Sequence, residues 1–168
     1  MLEKIKNLQR GITLVEMLMY MVIFAILMTV LTQIFISSLN VQLESKSTSS
    51  VQQDGTYILS RMSYDIKRAQ SVVVPASYGQ ATGTLQLVID RSNYTYSTDL
   101  NNNFTLTNAQ GTTFLNSAES TVTNLTFIRI GNPGGKSTIQ MSFQVNSTTK
   151  QQVSGEQSRI FSTTISLR

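Results

Sequence analysis

From Ile12 to Ile36 the chain carries one long apolar run, and a single carboxylate, Glu16, interrupts it. At about 1.5 Å per helical residue this run is long enough to cross the ~30 Å hydrocarbon layer of a bilayer, so it is read as one membrane-crossing helix. An ionised side chain without a partner costs at least roughly 2.5 kcal/mol in that setting. No Lys, Arg or His lies between Ile12 and Glu44, so the helix supplies no counter-ion of its own. A cut between Gly11 and Ile12 would create one: the new amine would lie about 6 Å along the helix from Glu16.

The flank of the run sets its orientation. Lys4, Lys6 and Arg10 hold the N-terminal side in the cytoplasm, which puts everything after about Ser37 outside. A secretory signal peptide is disfavoured, because the run exceeds the roughly 7 to 15 residues of such a core and lacks an Ala-x-Ala site. Thr13, Tyr20, Thr29, Thr32 and Gln33 make the span more polar than a solitary anchor requires, and they suit contact with other helices.

The series Arg10-Gly11-Ile12-Thr13-Leu14-Val15-Glu16-Met17-Leu18, behind Lys4 and Lys6, resembles the prepilin leader of the type IV filament family. That family includes type IV pilins, type II secretion pseudopilins and competence pseudopilins. The resemblance implies that a membrane prepilin peptidase cleaves after Gly11 and methylates the amine of Ile12. Ile12 departs mildly from the usual Phe or Met. Glu16 would then dock the subunit against the N-terminus of a neighbour in a helical filament. The prolines are Pro75 and Pro133, so the Pro of many major pilin helices is missing, which points to a minor subunit. Asp54 to Gln70 is similar to the helix end of J-type minor pseudopilins and W-type minor pilins at Leu59, Asp65, Lys67, Arg68 and Ala69. The ending Phe161 to Arg168 resembles the last strand of the same group.

The implied fold is α+β and type IV pilin-like, a long N-terminal helix packed against a C-terminal antiparallel β-sheet. The expected divisions are a leader over 1–11, a membrane and filament-core helix over 12–36, an extracytoplasmic amphipathic helix over 37–74, and a sheet domain over 75–168. Implied partners are the prepilin peptidase, other pilin or pseudopilin subunits, an inner-membrane assembly platform and the lipid bilayer. The resemblance places the chain first in the inner membrane and then in an extracytoplasmic filament, near the tip, where it would help prime assembly. A monomeric signal-anchored β domain, serving as an adhesin or surface binder, is the competing class.

Residue patterns beyond the membrane agree with that outline. Ile58, Met62, Ile66 and Ala69 line one helical face, so a helix is expected over about Val51–Val72, with Arg61, Asp65, Lys67 and Arg68 turned outward as surface charges. After Pro75 and Gly79–Gly83 the period changes to two, as in half-buried antiparallel strands. Leu85, Leu87 and Ile89 alternate, as do Tyr94 and Tyr96, Phe104 and Leu106, and Leu125 and Phe127. Ile139 to Val145 and Phe161 to Leu167 alternate most strongly. Gly131 to Lys136 reads as a turn and Asn146 to Glu156 as a longer polar loop. Ser97 to Ser120 has no assignment as a whole.

Composition removes most catalytic chemistry. The chain has neither Cys nor His, which excludes thiol catalysis, Ser/His/Asp triads and ordinary zinc sites, and no enzyme, cofactor or metal is expected. Gly135-Lys136-Ser137 is not a phosphate loop, because Ile130 stands where the first Gly belongs and the segment joins strand to strand. Asp99 opens like a calcium loop, but Phe104 and Gln110 occupy the sixth and twelfth positions, so an Asx-rich loop is expected. Asn93, Asn103, Asn124 and Asn146 sit in acceptor sequons that so Asn/Ser/Thr-rich a chain makes by chance. Without Lys4, Lys6, Arg10 and Glu3, the formal charge of +4 falls to 10 basic against 8 acidic side chains, a weak basis for DNA binding. Tyr94, Tyr96, Phe104 and Phe114 are the residues a DNA-stacking platform would use, but packing within the sheet accounts for them better.

Overall fold

The computed structural model describes residues 13–132, 134–149 and 155–168. The chain divides into two compact units, 1–41 and 42–168. One helix, α1 (Leu14–Arg68), supplies all the described secondary structure of the first unit and opens the second. Thr13 caps it, its Oγ1 accepting a hydrogen bond from the Glu16 amide at 3.2 Å. No Pro interrupts it, and the cations Lys67 and Arg68 occupy its last turn, where the helix dipole favours them. The Ser/Thr-rich stretch after Ser37 is therefore helix throughout, and Ser47 and Val51 are buried there.

The helix stops at Arg68, short of the expected boundary at 74, because Ser71–Val74 forms strand β1 instead. Three successive β-branched valines followed by Pro75 disfavour helical backbone, and pairing with another strand settles the matter. After β1 come β2 (Ala81–Thr82), β3 (Leu85–Ile89), β4 (Ser92–Thr98), β5 (Phe104–Asn108), β6 (Gly111–Phe114), β7 (Ser120–Ile130), β8 (Thr138–Ser147) and β9 (Ser158–Ser166). All pairings are antiparallel, as expected. They form not one sheet but two, ordered β1-β3-β4-β5-β6 and β2-β7-β8-β9.

Alternating residues of both sheets meet the stripe of α1. Ile58, Met62 and Ile66 of the helix share a core with Leu85, Leu87, Ile89, Phe127, Ile139, Met141 and Phe143, all essentially without solvent contact. Each such side chain contributes about 1.5–3 kcal/mol by leaving water. A run of aromatic rings links the two sheets: Tyr96 to Phe104 at 6.3 Å, Phe104 to Phe143 at 6.4 Å and Phe143 to Phe161 at 5.5 Å. Phe161 ends on Gly55, where the absence of a side chain lets the ring lie against the helix.

Asp65 overturns an expectation. It is not an outward surface charge but is 0% exposed. Arg61 Nε at 2.8 Å, Arg68 Nη2 at 3.0 Å and the Tyr96 hydroxyl at 2.7 Å surround it. Lys67 is exposed, whereas Arg61 and Arg68 are half-buried. The cause is tertiary: β4 brings Tyr96 over the helix and closes off the carboxylate that its two arginines flank.

The unassigned middle consists of the end of β4, the β5–β6 hairpin and a pinned loop. Asn116 accepts from the Phe104 amide at 2.7 Å and donates to the Ser120 carbonyl at 2.6 Å. Asp54 on α1 accepts from the Ser117 amide and from the hydroxyls of Ser117 and Ser120. Glu119 pairs with Lys46 at 2.7 Å.

Two outcomes follow from this packing. In Gly55→Ala the new methyl meets the Phe161 ring, which Phe143 backs and which therefore has little room to retreat. The gain in helix propensity, about 1 kcal/mol, is smaller than the upper part of the ~1–3 kcal/mol cost of overpacking, so thermal unfolding should occur at lower temperature. A melting temperature equal to or above that of the unaltered chain would contradict the close packing. Burial, followed by the hydrogen bond to Asp65 and its charge, pushes ionisation of the Tyr96 hydroxyl far up. An unfolded tyrosine ionises near pH 10, so above about pH 10 the unfolded state sheds a proton that the folded state keeps, and stability falls as pH rises. Tyr96→Phe should remove this part of the alkaline slope in urea titrations; an unchanged slope would refute the assignment.

Candidate assembly site

Unit 1 presents the first turns of α1 with apolar side chains on every side. Leu14, the most exposed at 77%, is followed by Val15, Met17, Leu18, Met19 and their successors to Ile36, none of them buried within the chain. This helix is long and apolar enough to cross a membrane. A helix apolar all round requires lipid or other helices as its surroundings.

Glu16 stands in the first turn of this surface and is exposed. Its backbone amide is held by Thr13, as described above. Its Oε1 accepts a hydrogen bond from the Tyr20 hydroxyl at 3.0 Å, one turn further along. In the sequence Tyr20 stands out only as a polar residue of the span; its i, i+4 spacing from Glu16 is the signal for the pair. Thr29 and Thr32 return their hydroxyls to the carbonyls of Ala25 and Met28 at 2.9 and 2.8 Å, so they satisfy their own helix. Gly11, Ile12, Lys4, Lys6 and Arg10 lie outside the described residues.

The other candidates take structural places. Asp99 Oδ1 accepts from the amides of Asn101 and Asn103, and Oδ2 from the Asn103 side chain at 2.9 Å, which makes an Asx turn. The bonds from Asn103 hold this carboxyl below its ordinary range. Among the described residues no group of three or more His, Cys, Asp or Glu could hold a metal. Tyr94, Tyr96, Phe104 and Phe114 do not share one exposed face: Tyr96 and Phe104 are fully buried, Tyr94 is half-buried and Phe114 is exposed on the edge strand β6. Gly131 to Lys136 joins β7 to β8, with Gly135 donating to the Asn132 carbonyl at 3.0 Å.

Residues 6–32 match the family model described as the prokaryotic N-terminal methylation motif. No curated protein and no solved structure matches the chain significantly. The methylation motif, the long apolar helix and the antiparallel sheets are together consistent with a structural subunit of the broad type IV pilin-like class.

Proposed function

We propose that the chain is a minor pilin or pseudopilin, cut between Gly11 and Ile12, N-methylated at Ile12 and built into a filament through the apolar part of α1. The observation that carries this reading is Glu16, a carboxylate on the first turn of an otherwise apolar helix, inside the span matched by the methylation motif. The divisions are a leader over 1–11, a core helix over 12–36 and an extracytoplasmic portion beyond it.

The mechanism is assembly. Before polymerisation the helix lies in the inner membrane with its N-terminus cytoplasmic, directed by Lys4, Lys6 and Arg10. The prepilin peptidase removes those charges and leaves a cationic amine at Ile12. In the filament the apolar surface passes from lipid to neighbouring helices, and Glu16 of one subunit meets the amine of another. In such a dry setting an ion pair is worth more than in water and sets register, since a misplaced carboxylate is left unmatched. The inner-membrane assembly platform and the other subunits are the partners. The lack of a Pro within α1 and the likeness of its end to the J and W types support a minor subunit that helps prime the tip of a pilus, a secretion pseudopilus or a competence pseudopilus.

Replacing Gly11 with Trp should leave the leader attached, visible as an undiminished mass on intact-protein mass spectrometry; normal trimming would contradict the scissile bond. Glu16→Val should be processed but excluded from filaments purified from the producing cells. Its normal incorporation would remove the docking role.

A further inference from the structure

The Glu16 carboxylate is already engaged on one side. Tyr20 donates its hydroxyl to Oε1 at 3.0 Å, while Thr13 fixes the amide of the turn from which the side chain projects. A carboxylate has two oxygens and room for about four donors, and among the described residues no hydrogen bond reaches Oε2. Of the other hydroxyls of the apolar stretch, that of Thr13 accepts from the Glu16 amide, and those of Thr29 and Thr32 donate to their own backbone. Among the described residues, Tyr20 is thus the side chain that supplies Glu16 with a donor. Water would compete with such a pair on a soluble helix and make it nearly irrelevant; hydrocarbon offers no competing donor.

From this geometry we infer that Tyr20 is a positioning residue for assembly: its hydroxyl holds Oε1 in one rotamer and keeps Oε2 presented to the incoming amine of another subunit. The inference rests on the docking reading of Glu16. Before assembly the hydroxyl limits the exposure of an isolated carboxylate to lipid. During assembly it spares the carboxylate a search among rotamers when the cation arrives. Oε1 and Oε2 are then satisfied at the same time, one from within the helix and one from the neighbour, so hydroxyl and amine do not compete.

The test uses the full chain in lipid vesicles, with the Glu16 carboxylate isotope-labelled for infrared spectroscopy, and in parallel the incorporation of the same variants into filaments. Tyr20→Phe keeps the ring and removes the donor. It should shift the carboxylate stretching bands of the unassembled chain and lower incorporation about tenfold, as expected for losing one hydrogen bond to a charged group. Tyr20→Gln, whose amide can donate across the same turn, should recover both. Unchanged bands in Tyr20→Phe, or incorporation equal to or above that of the unaltered chain, would each overturn the role of Tyr20. Normal assembly of Glu16→Val alone would instead overturn the docking reading and the positioning role with it, even if the band shift still reported the hydrogen bond.

Discussion

A charged group taken out of water must be matched by donors, and two of the carboxylates of α1 stand at opposite ends of this requirement. Asp65 is matched wholly within the chain: two arginines of its own helix and a tyrosine of β4 close around it until no surface is left. Among the described residues Glu16 has one side-chain donor, the Tyr20 hydroxyl, and it stays exposed on an apolar surface. A closed cluster stabilises one arrangement of helix and sheets, since Asp65 is fully buried and each lost donor leaves its charge less well matched. An open one leaves capacity for a cation from elsewhere, as the proposed docking requires.

Packing around Asp65 follows from the same economy of space. Phe161 reaches α1 only because Gly55 has no side chain, and Phe143, Phe104 and Tyr96 continue the row of rings from one sheet into the other. The row ends at the tyrosine that covers Asp65, so the apolar contacts joining the sheets and the polar contact holding the helix share a residue. Loss of packing at either end therefore propagates to the other, as expected of a close-packed interior.

Polar residues that look interchangeable in the sequence have separate tasks. Asp54 and Glu119 tie the loop before β7 to α1, while Asp99 folds back on its own turn. Thr29 and Thr32 turn inward on their backbone, whereas Tyr20 turns to a side chain. The difference lies in which partner is within reach, and for long-range pairs the fold alone decides that.

The sequence by itself determined the apolar span, its single carboxylate, the stripe at Ile58, Met62 and Ile66, and the strands whose side chains alternate, because each rests on a local period of 3.6 or 2. It also located the β7–β8 turn and the Asp99 turn, which are built from neighbouring residues. Only the tertiary structure decided that α1 ends at Arg68, that the strands separate into two sheets, that Asp65 is enclosed and that Asn116 and Asp54 pin the loop between β6 and β7. The physical reason is common to all four: the deciding partners, among them β3, Tyr96, Phe104 and Ser120, are distant in sequence, and no local period records a contact made across the fold.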